Sequence, residues 1–140
     1  MTRSARPEAL RLLDFDQPIG LLMLMVWHFM PDSDDPIGVI ARYRDALVPG
    51  SYLALAHVLS EEEETEGLRT MVDEVRRNGE AATPRPYKQI VAMFDGFDLV
   101  EPGVVPCAAW RPDGPGAFSE LVAANRLVFA GVGRKPEPAR

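Results

Sequence analysis

Cysteine is nearly absent from this 140-residue sequence. Cys107 stands alone, which excludes an intrachain disulfide framework and any cysteine-rich zinc site. Histidine is almost as scarce, with only His28 and His57. No apolar run reaches the roughly 20 residues of a membrane-spanning helix. The longest, residues 19–30, contains His28 and runs directly into Pro31 and Asp32. No apolar stretch adjoins Arg3 and Arg6, so a secretory leader is not expected and the cytoplasm is the expected compartment. Positive charge is also short: 15 Lys and Arg against 21 Asp and Glu leave a formal net charge of −6. Without a basic stripe to track phosphates, that balance argues against a nucleic-acid partner. A last absence is positional. Upstream of Ile19 there is no strand followed by a glycine-rich loop, the device with which nucleotide-binding α/β folds grip their ligand.

What is present suits one domain over residues 1–140, with 46% hydrophobic and 26% charged residues. Residues 7–13 read as the last turns of a helix. Ile19 to Trp27 is apolar without alternation, the mark of a strand covered on both faces. Asp35 as N-cap and Pro36 in the first turn open a helix that presents Val39, Ile40, Tyr43 and Leu47 on one face. Pro49-Gly50 stops it, and Ser51 to Val58 is a second buried strand. Ser60 and Glu63 form a capping box for a helix that reaches Asn78 and ends at Gly79. Its glutamates, Glu61 to Glu64, read as a solvated start matched to the helix dipole rather than a metal site. Past the proline-rich stretch Thr83-Pro84-Arg85-Pro86 comes a short amphipathic helix around Tyr87, Ile90, Val91 and Phe94. Extended segments at Phe97–Val100 and Val104–Trp110, broken at Pro102-Gly103, lead to a last strand at Arg126–Ala130. Gly131-Val132-Gly133 and Gly114-Pro115-Gly116 read as turns.

Several stretches carry a resemblance. They are Leu12-Leu13-Asp14-Phe15-Asp16-Gln17-Pro18-Ile19, Trp27-His28-Phe29-Met30-Pro31-Asp32, Arg44-Asp45-Ala46-Leu47-Val48-Pro49-Gly50-Ser51-Tyr52-Leu53, Phe94-Asp95-Gly96-Phe97-Asp98-Leu99-Val100-Glu101-Pro102-Gly103, Trp110-Arg111-Pro112 and Gly131-Val132-Gly133-Arg134-Lys135-Pro136. In this order they resemble class I S-adenosylmethionine-dependent methyltransferases, specifically a bacterial family of largely unassigned function. The resemblance implies a Rossmann-like three-layer α/β fold, partial here. Its sheet is mostly parallel, ordered fourth, fifth, seventh, sixth in family numbering, with the last strand antiparallel between its neighbours. It also implies S-adenosylmethionine as cofactor and methyl transfer to a small-molecule acceptor. The family's glycine-rich loop and ribose-binding acid belong to a first half that this sequence does not show.

At the carboxyl ends of parallel strands, where such folds bind ligands, stand His28 and His57, both candidate proton acceptors. Trp27, His28, Phe29 and Asp32 are the candidate cofactor-binding residues. Among them Trp27 and Phe29 either pack against the flanking helices, the favoured reading, or offer aromatic faces to a sulfonium. No metal site is expected: Asp32, Asp34 and Asp35 lack the spacing of a calcium loop and serve a turn and an N-cap. The strand at Ile19–Val26 has neither charge nor proline to guard its edge. It is therefore expected to pair with a second copy or with a complementing half-domain. The alternative to an enzyme is a non-catalytic remnant acting as an interaction module. An unrelated flavodoxin-like domain would need a phosphate loop that the sequence does not contain.

Overall fold

The computed structural model describes residues 8, 11–60, 66–79, 82–114 and 123–139. Their strands are β1 (Gly20–Leu24), β2 (Tyr52–Val58), β3 (Asp98–Leu99), β4 (Val105–Pro106) and β5 (Val128–Arg134). Their helices are α1 (Pro36–Ala46), α2 (Glu66–Arg77), α3 (Tyr87–Ala92) and α4 (Ala123–Leu127). The sheet runs β1-β2-β5-β3, with β4 also on β5. β1 and β2 are parallel, and β5 is antiparallel to β2, β3 and β4. Every strand except β5 therefore points the same way, the expected order and polarity.

The connection between the two parallel strands explains their order. Asp35 caps α1 by accepting from the Gly38 N–H at 3.2 Å, and Pro36 occupies the first turn. The helix then lays Ile40 on the sheet. Buried Ser51 ties the strand starts together, its Oγ accepting from the Ile19 N–H at 3.0 Å. On this inner face Met23, Leu53 and Leu55 pack with Ile40, Ile90, Met93, Phe94 and Phe97. Each such side chain, fully buried, contributes about 1.5–3 kcal/mol.

The outer face differs from expectation. Leu22 is 71% exposed and Leu24 53%, so β1 is covered on one face only among the described residues. The strand also ends earlier than Trp27: Met25 turns out of it with φ 59°, and Trp27–Phe29 form a single 3-10 turn. A second cluster caps the carboxyl end of this outer face, where Val58 meets Val72 of α2 and Leu127 of α4.

Three further expectations are corrected. Arg126 and Leu127 close α4 rather than opening the last strand, which runs through Val128–Arg134. Gly131 and Gly133 are strand residues, not turns, because aromatic rings cross them. A Cβ at Gly133 would lie 2.7 Å from the Phe97 Cβ, and one at Gly131 3.0 Å from the Phe94 ring. Beyond Pro106 the chain coils into a turn at Cys107–Ala109, so the extended stretch stops short of Trp110. The capping box at Glu63, the glutamates Glu61 to Glu64 and the turn at Pro115-Gly116 lie outside the described residues. No described helix is long and apolar enough to cross a membrane.

Candidate functional site

β1 and β2 end side by side, and their continuations bring the two histidines together. His57 sits near the end of β2, fully buried, and His28 lies in the turn after β1. Their rings are 6.2 Å apart, edge to face.

What separates their chemistry is Arg85. This guanidinium is 2% exposed and reaches four acceptors: Asp32 Oδ1 at 3.0 Å, the Trp27 carbonyl at 2.9 Å, the Met30 carbonyl at 2.6 Å and His57 Nε2 at 2.9 Å. Arginine has no acceptor, so His57 Nε2 must present its lone pair. The ring proton then sits on Nδ1, which donates to the Val58 carbonyl at 2.8 Å. Both nitrogens are occupied, and His57 has no lone pair free for a substrate. Burial, with the nearby Arg85 charge, lowers its pKa to about 4, against a partly opposing hydrogen bond to Val58.

His28 is also buried, but its Nδ1 lacks what His57 has. It is 6% exposed and its Nδ1 is buried with no hydrogen-bond partner among the described residues. Burial first, and Arg85 second, pull its pKa below the ordinary histidine value, so the ring is neutral at pH 7. Its backbone carbonyl accepts from the Thr83 N–H at 2.7 Å, which holds the turn against the proline-rich segment.

The other expected residues divide. The Trp27 ring belongs to the inner core, where its indole N–H donates to Met23 Sδ at 3.2 Å, so it offers no open face. Phe29 is 45% exposed and its ring lies 4.0 Å from that of His28. Asp32 is exposed and paired with Arg85. Asp35 serves as the N-cap. Among the described residues no three His, Cys, Asp or Glu side chains are grouped to hold a metal.

Arg85 was not singled out in the sequence. A cation in a proline-rich loop normally reads as solvated. The available signal is its flanking prolines: Pro84 and Pro86 stiffen the backbone and favour extension at position 85. There it bridges to Leu59, its N–H donating to the Val58 carbonyl at 3.1 Å.

Comparison with known proteins agrees with this architecture. A family model described as S-adenosyl methyltransferase matches residues 2–136. A DUF574 family protein from Streptomyces avermitilis MA-4680 superposes with TM-score 0.83 at 28% identity, over 95% of this chain and 50% of that one. A protein of Thermobifida fusca YX, described as a candidate methyltransferase, gives TM-score 0.79 at 34% identity, over 94% and 48%. The chain thus spans about half the length of these two relatives. Mitomycin 7-O-methyltransferase MmcR, at 16% identity and TM-score 0.54, shares the fold alone. No curated protein matches.

Proposed function

Because the chain belongs to the S-adenosyl methyltransferase family, which its match over residues 2–136 shows, we propose that it forms the acceptor side of a methyl-transfer site. The observation that carries this reading is the unequal histidine pair at the carboxyl ends of β1 and β2. One ring is locked by Arg85; the other is buried, neutral and without a partner.

The described residues fit one wall of a cofactor site. Phe29 and Asp32 are exposed beside His28, but these residues include no glycine-rich turn from strand to helix. S-adenosylmethionine, when bound, supplies a methyl carbon attached to a sulfonium. The chain's own residues position the acceptor and remove its proton. The acceptor's O–H or N–H would give its proton to the neutral His28 imidazole, which would free the acceptor's lone pair for the methyl group that the cofactor supplies. Arg85 holds the turn that carries His28 by its bonds to Trp27, Met30 and Asp32. It is a positioning residue.

The rest of the site belongs, in this reading, to the half of the relatives' fold that this chain does not span. It docks on β1, which ends the sheet and has no partner on its outer side among the described residues. Leu22, Leu24 and Val26, at 71%, 53% and 46% exposure, give the docking an apolar face. A second copy of this chain is the competing occupant. The free Cys107 suits a reducing compartment such as the cytoplasm.

The test is calorimetric titration with S-adenosylmethionine, first of this chain and then of a fusion carrying the unmatched half of the Thermobifida fusca relative. The reading requires binding by the fusion that weakens on substitution of Phe29 or Asp32. A fusion that folds and fails to bind contradicts it.

A further inference from the structure

Behind His28 the structure contains a cavity of about 100 Å³, lined by Met25, Val58, Val72, Val75 and Pro84. It lies between α2 and the carboxyl ends of the two parallel strands, and it is partly open. Among the described residues His28 is the one polar side chain in its wall.

Two features of its lining residues have no structural explanation among the described residues. Met25 takes φ 59°, a left-handed conformation that costs a long side chain energy and that clusters at functional sites. His28 Nδ1 is buried and unpaired, although buried polar atoms are almost always satisfied. Water suits this wall poorly, because a buried water needs two to four polar partners and the described wall is otherwise apolar. An apolar cavity of about 150 Å³ is known to take benzene. A partly open one of this size can seat a six-membered ring with one edge outward.

We infer that this cavity is an acceptor subsite for a small aromatic ring bearing a hydroxyl or amine, whose O–H or N–H donates to the His28 imidazole. The ring packs on Val58, Val72 and Val75, and its polar substituent meets the one polar side chain of the described wall, His28. That the bound ring is a methyl acceptor rests on the function proposed above. The binding itself does not, and is measured without S-adenosylmethionine.

The probes are phenol and benzene, titrated into the full chain with detection of the histidine ring nitrogens and the valine methyl groups by NMR. Phenol is expected to shift His28 and the methyls of Val58 and Val72 saturably, while His57, held by Arg85, stays still. Benzene should bind on the order of fivefold more weakly, since it lacks the one hydrogen bond. Val75→Trp, which fills the cavity from its rim, should abolish both titrations, and His28→Phe should remove the advantage of phenol. Saturable shifts that fail to appear with phenol, or that are equal for the two probes, overturn the inference on the unmodified protein alone. If binding is seen but methyl transfer by the fused protein is not, the subsite stands and the functional reading falls.

Discussion

Arg85 Nη1 lies 2.9 Å from His57 Nε2, and because the guanidinium can only donate, this contact fixes His57 as the neutral Nδ1–H tautomer. The same guanidinium holds two carbonyls of the turn that carries His28. One buried cation thus occupies one histidine ring and ties down the turn that carries the other.

Arg85→Ala leaves the Met30 carbonyl and His57 Nε2 without their donor and the Trp27 carbonyl with the Met30 N–H alone. It should cost about 2–4 kcal/mol, as expected when buried acceptors lose a charged donor. Asp32→Asn should cost under about 1 kcal/mol, because the carboxylate is 71% exposed. Urea midpoints of the two variants compare these directly. Equal losses would show that the ion pair, rather than the carbonyl and imidazole contacts, is what Arg85 contributes.

Stability should depend on pH with a definite sign. His57 titrates at about 4 in the native chain and at 6.5 as a free group, so between those values the unfolded chain binds a proton that the native one refuses. Stability is therefore lost as pH falls through this window, at up to ~1.4 kcal/mol per pH unit for each histidine kept neutral. His28, shifted in the same direction, adds to the slope. Denaturation at a series of pH values should show the slope and its reduction in His57→Gln; a flat profile in the unmodified chain would contradict the assignment.

Much of the fold was legible because it follows from short-range signals. The apolar runs at β1 and β2 and the Asp35-Pro36 start of α1 predict a parallel pair joined by a helix. That the two strands are neighbours, and with it the proximity of His28 and His57, is what the family resemblance implies. Arg85 was not legible, since its acceptors lie 28 to 58 residues away in sequence and nothing local marks it as buried. For Trp27, of its two readings, packing is the one the structure shows, and its partner Met23, which receives the indole N–H, comes from the strand itself. Gly131 and Gly133 read as turn residues because only the rings of Phe94 and Phe97, brought over β5 by the fold, reveal why a side chain is excluded there.

Gly133→Ala measures that last point. Its Cβ would meet the Phe97 Cβ at 2.7 Å, backed by the Phe94 ring, in a fully packed sheet face. Overpacking of this kind should cost about 1–3 kcal/mol. At Gly79, where nothing lies within reach of a Cβ, the cost should come from φ of +81° alone and stay near about 1 kcal/mol. Thermal denaturation of both variants is sufficient, and a neutral Gly133→Ala would mean that β5 can shift away from the rings.

The uncovered side of β1 gives a prediction about association. Met23 faces the core, so the outward Leu22 and Leu24 are the positions to change. Leu22→Lys with Leu24→Lys should reduce self-association or docking in sedimentation velocity while leaving the fold intact. A fully monomeric unmodified chain that also fails to bind the complementary half would remove β1 as an interface.

The central claim is that the turn after β1 forms one wall of a methyl-transfer site completed by the other half of the relatives' fold. Titration of S-adenosylmethionine into this chain and into the completed fusion tests it most directly. The chain alone should bind weakly or not at all; the fusion should bind saturably and lose about tenfold in affinity or transfer rate with His28→Ala. Low-micromolar binding by the chain alone, or a fusion indifferent to His28→Ala, would contradict it.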